Sequence, residues 1–190
     1  MNNVFFNQDL TGFIQKFIDI KNLLDTSKKF NNIKKNIYLW KLNRMYSYKY
    51  YYDNIFRNKI HDKITNIKQI YKLDFTNSDI SDVSIIKNTH ILILYGCFNI
   101  KNVDALGNVY ELDLSYCENI VDVSKLKNVH TLDLSECINV KDVSMLGNVY
   151  NLNLSCCYEI TDVSMLGNVH TLNLFGCYSV LDKSMLKNVY

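Results

Sequence analysis

The sequence predicts an α/β solenoid, with parallel strands on the concave face, short helical turns behind them, and a small all-α segment in front. Three columns of residues predict it. Cysteine recurs every twenty residues, at Cys97, Cys117, Cys137, Cys157 and Cys177. Leucine recurs in the same register at Leu92, Leu112, Leu132, Leu152 and Leu172, and again at Leu94, Leu114, Leu134, Leu154 and Leu174. A further leucine column runs Leu106, Leu126, Leu146, Leu166 and Leu186. A period this strict is the mark of units that stack on one another.

One unit shows why. Its pattern is V-x-x-L-x-L-x-x-C-x-x-[VI]-x-D-V-S-x-L, as in Val109 to Leu126. L-x-L places two leucines on one face of a short strand, so the residue between them faces out. A strand this short buries little alone, and stacked copies paired at about 4.8 Å share one continuous core. After the cysteine, apolar residues follow every third position, as in Cys137, Val140, Val143 and Leu146. That spacing suits tight turns and a short helical piece returning behind the strand. In this pattern the chain resembles the leucine-rich repeat family, whose L-x-x-L-x-L-x-x-[NC]-x-L signature it matches. The resemblance implies a leucine-rich repeat solenoid over 70–190, in about six units with the last incomplete.

The first unit is a variant. Ile70, Leu73, Phe75, Ser78, Ile80, Asp82, Val83 and Ser84 fit the pattern with one residue fewer and no cysteine. The array stops at Val189-Tyr190 in mid-motif. Its last strand edge is expected to be covered by a partner or by a second copy of the chain, unless the reading frame is shortened.

Composition narrows the class. A chain of 190 residues that is 48% hydrophobic can bury a real core, and a net charge of +2 gives no bulk attraction to polyanions. No apolar run is long enough to span a membrane. The start, MNNVFFNQDL, lacks the basic and apolar regions of a secretory signal. The six cysteines are therefore expected to be reduced thiols in a cytoplasmic or nuclear protein. The absence of proline and the heavy use of Asn, Ile, Lys and Tyr read as coding bias.

The segment 1–45 has a different character. Leu10, Phe13, Ile14, Phe17 and Ile18 share one helical face, and Asp9 precedes it as a candidate cap. Leu23-Leu24 opens a second short helix, Phe30, Ile33 and Ile37 mark a third, and Leu39, Trp40 and Leu42 close the segment. In these residues the segment resembles the F-box. Phe6 to Leu10 stands where that family has L-P-x-[ED]-L, and Phe13 to Leu24 reads F-I-Q-K-F-I-D-I-K-N-L-L. Ser27-Lys28-Lys29-Phe30 and Leu39-Trp40-Lys41-Leu42 match the family's later elements. Asn7 replaces the usual proline, and the stretch between Leu24 and Ser27 is about one helical turn short. The resemblance implies docking on a Skp-type adaptor protein of a cullin–RING ubiquitin ligase, through Leu10, Phe13, Ile14, Phe17, Leu23 and Leu24. The other reading is an N-terminal helical cap over the first repeat, which solenoids require.

Residues 46–69 form a tyrosine-rich connector. Tyr46, Tyr48, Tyr50, Tyr51 and Tyr52 beside Lys49 and Arg57 could stack nucleic acid. Packing is the better account, since tyrosine brings apolar area with a wet end, and no nucleic-acid partner is expected. Ile60, Ile64 and Ile67 are helically spaced and are expected to cover the first repeat.

No constellation points to catalysis. The cysteine column is a line, whereas zinc needs ligands converging on a point, so no metal and no cofactor are expected. Cys156 stands out of column and is expected on the exposed side of its strand, as the reactive thiol. His90, Tyr110, His130, Tyr150, His170 and Tyr190 alternate in a second column. Its imidazoles lie two units apart, about 10 Å, too far to share a metal, and a ladder of packed rings is expected. The column Asp82, Asp122, Asp142, Asp162 and Asp182, with Asn102, precedes serine in most units and reads as capping. No P-loop, dinucleotide fingerprint or Ser-His-Asp set is present.

The expected function is recognition. The residues flanking the two leucines of each unit are expected on the concave sheet face, and they vary from unit to unit while the core columns barely change. Ile91, Ile93 and Tyr95 open the series, followed by Glu111, Asp113 and Ser115, then Thr131, Asp133 and Ser135. Asn151, Asn153 and Ser155, then Thr171, Asn173 and Phe175, complete it. The predicted target-binding residues are Ile93, Tyr95, Glu111, Asp113, Asp133, Asn153, Asn173 and Phe175, with Tyr95 and Phe175 as anchors and the carboxylates selecting a basic segment. The protein is thus expected to be a non-enzymatic substrate-recognition adaptor of a ubiquitin ligase, or else a stand-alone interaction module.

Overall fold

The structure is a computed structural model that describes residues 42–63 and 70–186. The chain divides into two units, Met1–Tyr38 and Leu39–Tyr190, and all described residues belong to the second. Two helices come first, α1 (Arg44–Tyr52) and α2 (Asn54–Lys63). Six strands follow: β1 (Ile70–Asp74), β2 (Thr89–Ile93), β3 (Glu111–Asp113), β4 (Thr131–Asp133), β5 (Asn151–Asn153) and β6 (Thr171–Asn173). They form one parallel sheet in chain order. Its register pairs Leu92 with Leu112, Leu132, Leu152 and Leu172 in succession. The leucine-rich repeat solenoid expected from the sequence is the fold of this chain.

The returning segments are 3-10 turns rather than longer helices. They span Ser84–Ile86, Asp104–Leu106, Ser124–Leu126, Ser144–Leu146 and Ser164–Leu166. With apolar residues every third position, a three-residue turn keeps them on one side. The aspartate before each turn does form a hydrogen bond there, one position further out than a standard cap. Asp122, Asp142 and Asp162 each accept the backbone N–H of the serine two residues on, at 2.8 to 2.9 Å. Asn102 does the same for Asp104.

The core is a set of unbroken columns. Leu94, Leu114, Leu134 and Leu154 are fully buried, as are Cys97, Cys117, Cys137 and Cys157. Burying one such leucine contributes about 1.5–3 kcal/mol, so each added unit brings its own share of stability. Leu172 and Leu174 are only half-buried, because no strand lies beyond β6 among the described residues.

At the other end, α1 closes the first strand. Leu42 donates its N–H to the Lys72 carbonyl at 3.0 Å, and the Ser47 hydroxyl receives the Asp74 N–H at 3.0 Å. Tyr48 and Tyr51 set their rings against Phe75, at 6.0 and 5.8 Å. The tyrosine-rich stretch packs as expected, and Leu42 shares in the cap. Ile64 and Ile67 lie outside the described residues.

Candidate interaction surface

Each strand is followed by a turn of fixed design. Leu114 accepts the N–H of Cys117 at 3.1 Å, and Tyr116 between them has a φ of 59°. A four-residue turn with a positive φ at its third residue is of type II. The same position is held by Asn77, Gly96, Glu136, Cys156 and Gly176, all at positive φ. The expectation for Cys156 is thereby corrected. It lies past the end of β5, in the left-handed turn and half-buried, not on the strand. No strand periodicity governs residues beyond the L-x-L core, so alternation could not place it.

The column thiols tie one unit to the next. Cys117, Cys137, Cys157 and Cys177 donate to the carbonyls of Leu94, Leu114, Leu134 and Leu154, at 2.9 to 3.1 Å. Cys97 reaches Phe75 at 3.2 Å and lies 3.3 Å from the Ser78 hydroxyl. Ser78 therefore fills the cysteine position of the first unit. Burial pushes the Cys117 and Cys157 thiols up to about 12, and raises Cys137 as well.

The alternating rings form the expected ladder. His90, Tyr110, His130, Tyr150 and His170 stack in turn with centroids 4.3 to 4.9 Å apart. Tyr190 lies outside the described residues.

Of the predicted target-binding residues, Ile93, Glu111, Asp113, Asp133, Asn153 and Asn173 lie on the strands beside the buried leucines, whereas Tyr95 and Phe175 lie past the strand ends in the turns. Phe175 is 75% exposed and Glu111 and Asn173 are exposed, whereas Ile93 and Tyr95 are half-buried. Asp113, Asp133, Asn153 and Asn173 each accept the backbone N–H two residues on, at 2.8 to 3.1 Å. Asp133 also takes the Asn153 amide on its second oxygen at 2.9 Å. These side chains thus build their own turns before they meet any partner. The adaptor-binding candidates Leu10, Phe13, Ile14, Phe17, Leu23 and Leu24 lie outside the described residues.

Two features escaped the sequence reading. Asn99, Asn119 and Asn139 donate their amides to carbonyls of the preceding unit at 2.7 to 3.1 Å. Their three-fold recurrence at twenty residues was the available signal. The second feature is charge. From each strand through its turn, over 89–100, 109–120, 129–140, 149–160 and 169–180, the chain carries Glu111, Asp113, Glu118, Asp133, Glu136 and Glu159 but no lysine or arginine. Lys87, Lys101, Lys125, Lys127, Lys141 and Lys183 are all exposed on the returning segments behind. Among the described residues no helix is long and apolar enough to cross a membrane, and no cluster of side chains has the make-up of a metal site.

No protein-family model matches the chain, and no curated protein sequence matches it. Solved structures of internalins from Listeria monocytogenes are similar in part. The functional domain of InlJ, described as including a cysteine ladder, is 23% identical over 67% of this chain and 30% of its own length, with a TM-score of 0.46. Internalin InlF is 21% identical over 53% of this chain and 40% of its own, with a TM-score of 0.38. Internalin C2 is 19% identical over 64% of this chain and 77% of its own, with a TM-score of 0.39. The chain thus spans less than half the length of the first two. Its fold follows from its own sheet register and core columns.

Proposed function

We propose that this protein is a recognition module that holds a protein partner against the outer face of its repeat sheet and performs no chemistry itself. One observation carries the reading. The buried columns repeat almost unchanged, while the outward positions beside them change from unit to unit; from β2 to β6 lysine is confined to the returning segments, while carboxylates stand on both sides. A scaffold needs only the first of these properties. The test is site-specific photo-crosslinking in cell extract, with a photoreactive residue at position 175 or 111 compared with position 101 or 145. A partner crosslinked only from 175 or 111 supports the sheet face. One crosslinked only from 101 or 145 moves the surface to the back.

The finer reading adds an adaptor. Phe6 to Leu42 resembles an F-box, which would dock on a Skp-type adaptor and present the captured protein for ubiquitin transfer. Against that resemblance stands the packing of Leu42 and α1 on β1, which supports the helical cap for the part of the segment it covers. The stand-alone module therefore comes first. A reducing compartment, cytoplasmic or nuclear, suits it, because the column thiols act as hydrogen-bond donors and must stay reduced to do so. Co-expression with a Skp-type adaptor followed by size-exclusion chromatography separates the two readings, since only the F-box reading requires a stable complex.

A further inference from the structure

The left-handed column poses a question that the fold does not answer. The N–H groups of Tyr116, Glu136 and Cys156 donate to the carbonyls of Ser135, Ser155 and Phe175 at 2.8 to 2.9 Å, and the chain then folds back. The backbone at this position favours glycine, and Gly96 and Gly176 supply it in two units. Three consecutive units between them carry Tyr116, Glu136 and Cys156 at a φ near 60° instead. A Cβ in that conformation crowds the following carbonyl. These side chains are exposed or half-buried, and the core columns are complete without them.

What the three residues assemble is a rim. The Tyr95 ring lies 5.1 Å from that of Tyr116. The Glu136 carboxylate is close enough to Tyr116 to be the main influence raising its phenol. The neighbouring Cys156 thiol and then the Glu136 carboxylate push the Tyr158 phenol up to about 12. One carboxylate is therefore set among phenol rings, in the run of strands and turns from β2 to β6 that bears no lysine or arginine. Aromatic faces and carboxylates are the groups that recognise ammonium and guanidinium side chains.

We propose that Tyr95, Tyr116, Glu136 and Tyr158 form the docking rim for a lysine- or arginine-bearing segment of a partner protein, with Glu136 meeting the charge and the tyrosines flanking its stem. This rests on the reading of the sheet face and its turns as a recognition surface.

The test uses the full chain and three labelled peptides, in which glycine alternates with arginine, with lysine or with glutamate, followed by fluorescence anisotropy and thermal melting. A basic peptide is expected to bind and the glutamate peptide is not. Glu136→Gly and Tyr116→Gly are each expected to weaken that binding by about fivefold. Their melting temperatures should hold or rise, since glycine accepts the left-handed turn without strain. Glu136→Gln keeps the side-chain length and should weaken binding likewise, so the test survives if a glycine variant misfolds. Asp142→Asn removes the same charge from the back and should change nothing. Equal weakening by Asp142→Asn would mean attraction by net charge alone and overturns the proposal. Failure of both basic peptides to bind also overturns it. Basic-peptide binding that resists the rim variants but is lost in Glu111→Gln places the segment on the strands; the rim is then refuted while the recognition reading stands.

Discussion

The Sγ–H of Cys137 donates to the carbonyl oxygen of Leu114 in the preceding unit at 3.1 Å, and that same oxygen receives the Cys117 N–H at 3.1 Å. One carbonyl thus closes its own turn and anchors the next unit. Cys137→Ala leaves a buried acceptor with one donor fewer and should destabilise the protein by about 1–3 kcal/mol. Cys137→Ser should cost less than alanine, because a hydroxyl still donates and Ser78 already stands in this column beside Cys97. Urea denaturation of the two variants measures both effects, and an equal loss would mean that the thiol acts by volume alone.

The same thiols set the alkaline limit of stability. Burial holds Cys117 and Cys157 at about 12, against an ordinary value of 9.0. The unfolded chain therefore loses these protons first, and stability present below pH 9 should fall as pH rises from about 9 towards 12. At the acid end, hydrogen bonds from Ser124 and Ser144 hold Asp122 and Asp142 below their ordinary 3.8. Their contribution is present above that value and is lost as pH falls through the lowered one. Melting temperature measured across this range should show a plateau between the two limits. Iodoacetamide at neutral pH should modify Cys156 first, with the five column thiols following only on denaturation.

Tyr110 stands between His90 and His130, at 4.7 and 4.5 Å from their rings. An aromatic pair contributes about 0.5–1.5 kcal/mol beyond its buried area. Tyr110→Ala breaks both stacks, whereas Tyr110→Phe keeps them. The alanine variant should therefore lose about 1–3 kcal/mol in chemical denaturation and the phenylalanine variant much less. Equal losses would trace the effect to the hydroxyl and not to the stack.

The fold was legible because its core positions each hold one residue type. Leu114, Cys117, Val123 and Leu126 recur as the same side chain from one full unit to the next, save for Lys183 at the end of the Val123 column, so a column could be read directly. The His and Tyr ladder was legible for the same reason. The turn position was not, since it holds Asn77, Gly96, Tyr116, Glu136, Cys156 and Gly176. What these share is a backbone conformation, and residue identity does not spell that out. Asp113 and Asp133 were read as partner-selecting carboxylates because an acid beside a strand looks free in sequence, but a hydrogen bond two residues along the chain engages each of them. Ser78 was counted only as a missing cysteine, although it fills the same place with a weaker resemblance in side chain than in role.

The adaptor reading makes a separable prediction. Leu23 and Leu24 lie in the F-box-like segment, far in sequence from the repeats. If that segment docks on a Skp-type adaptor, Leu23→Asp with Leu24→Asp should abolish co-purification while the repeats keep their circular dichroism and melting curve. Retained co-purification would show that these leucines are not the contact. Unfolding of the repeats would favour the helical cap.

The two predicted anchors should behave differently, because only one of them is free of internal duties. Phe175 is 75% exposed at the turn after β6 and contributes little to the core. Phe175→Ala should leave the melting curve unchanged. It should weaken partner capture by about 2 kcal/mol or more if the ring is a hot spot. Tyr95 is half-buried with its ring 5.1 Å from Tyr116, so Tyr95→Ala should lower the melting temperature as well as capture. Truncating Tyr95 also frees the Tyr116 ring, and the two effects need a double-mutant cycle with Tyr116→Gly to separate them. A coupling energy near zero in capture would show that the rings engage the partner independently. A capture defect in Tyr95→Ala that disappears at a temperature well below its melting point would assign Tyr95 to stability alone, leaving Phe175 as the anchor.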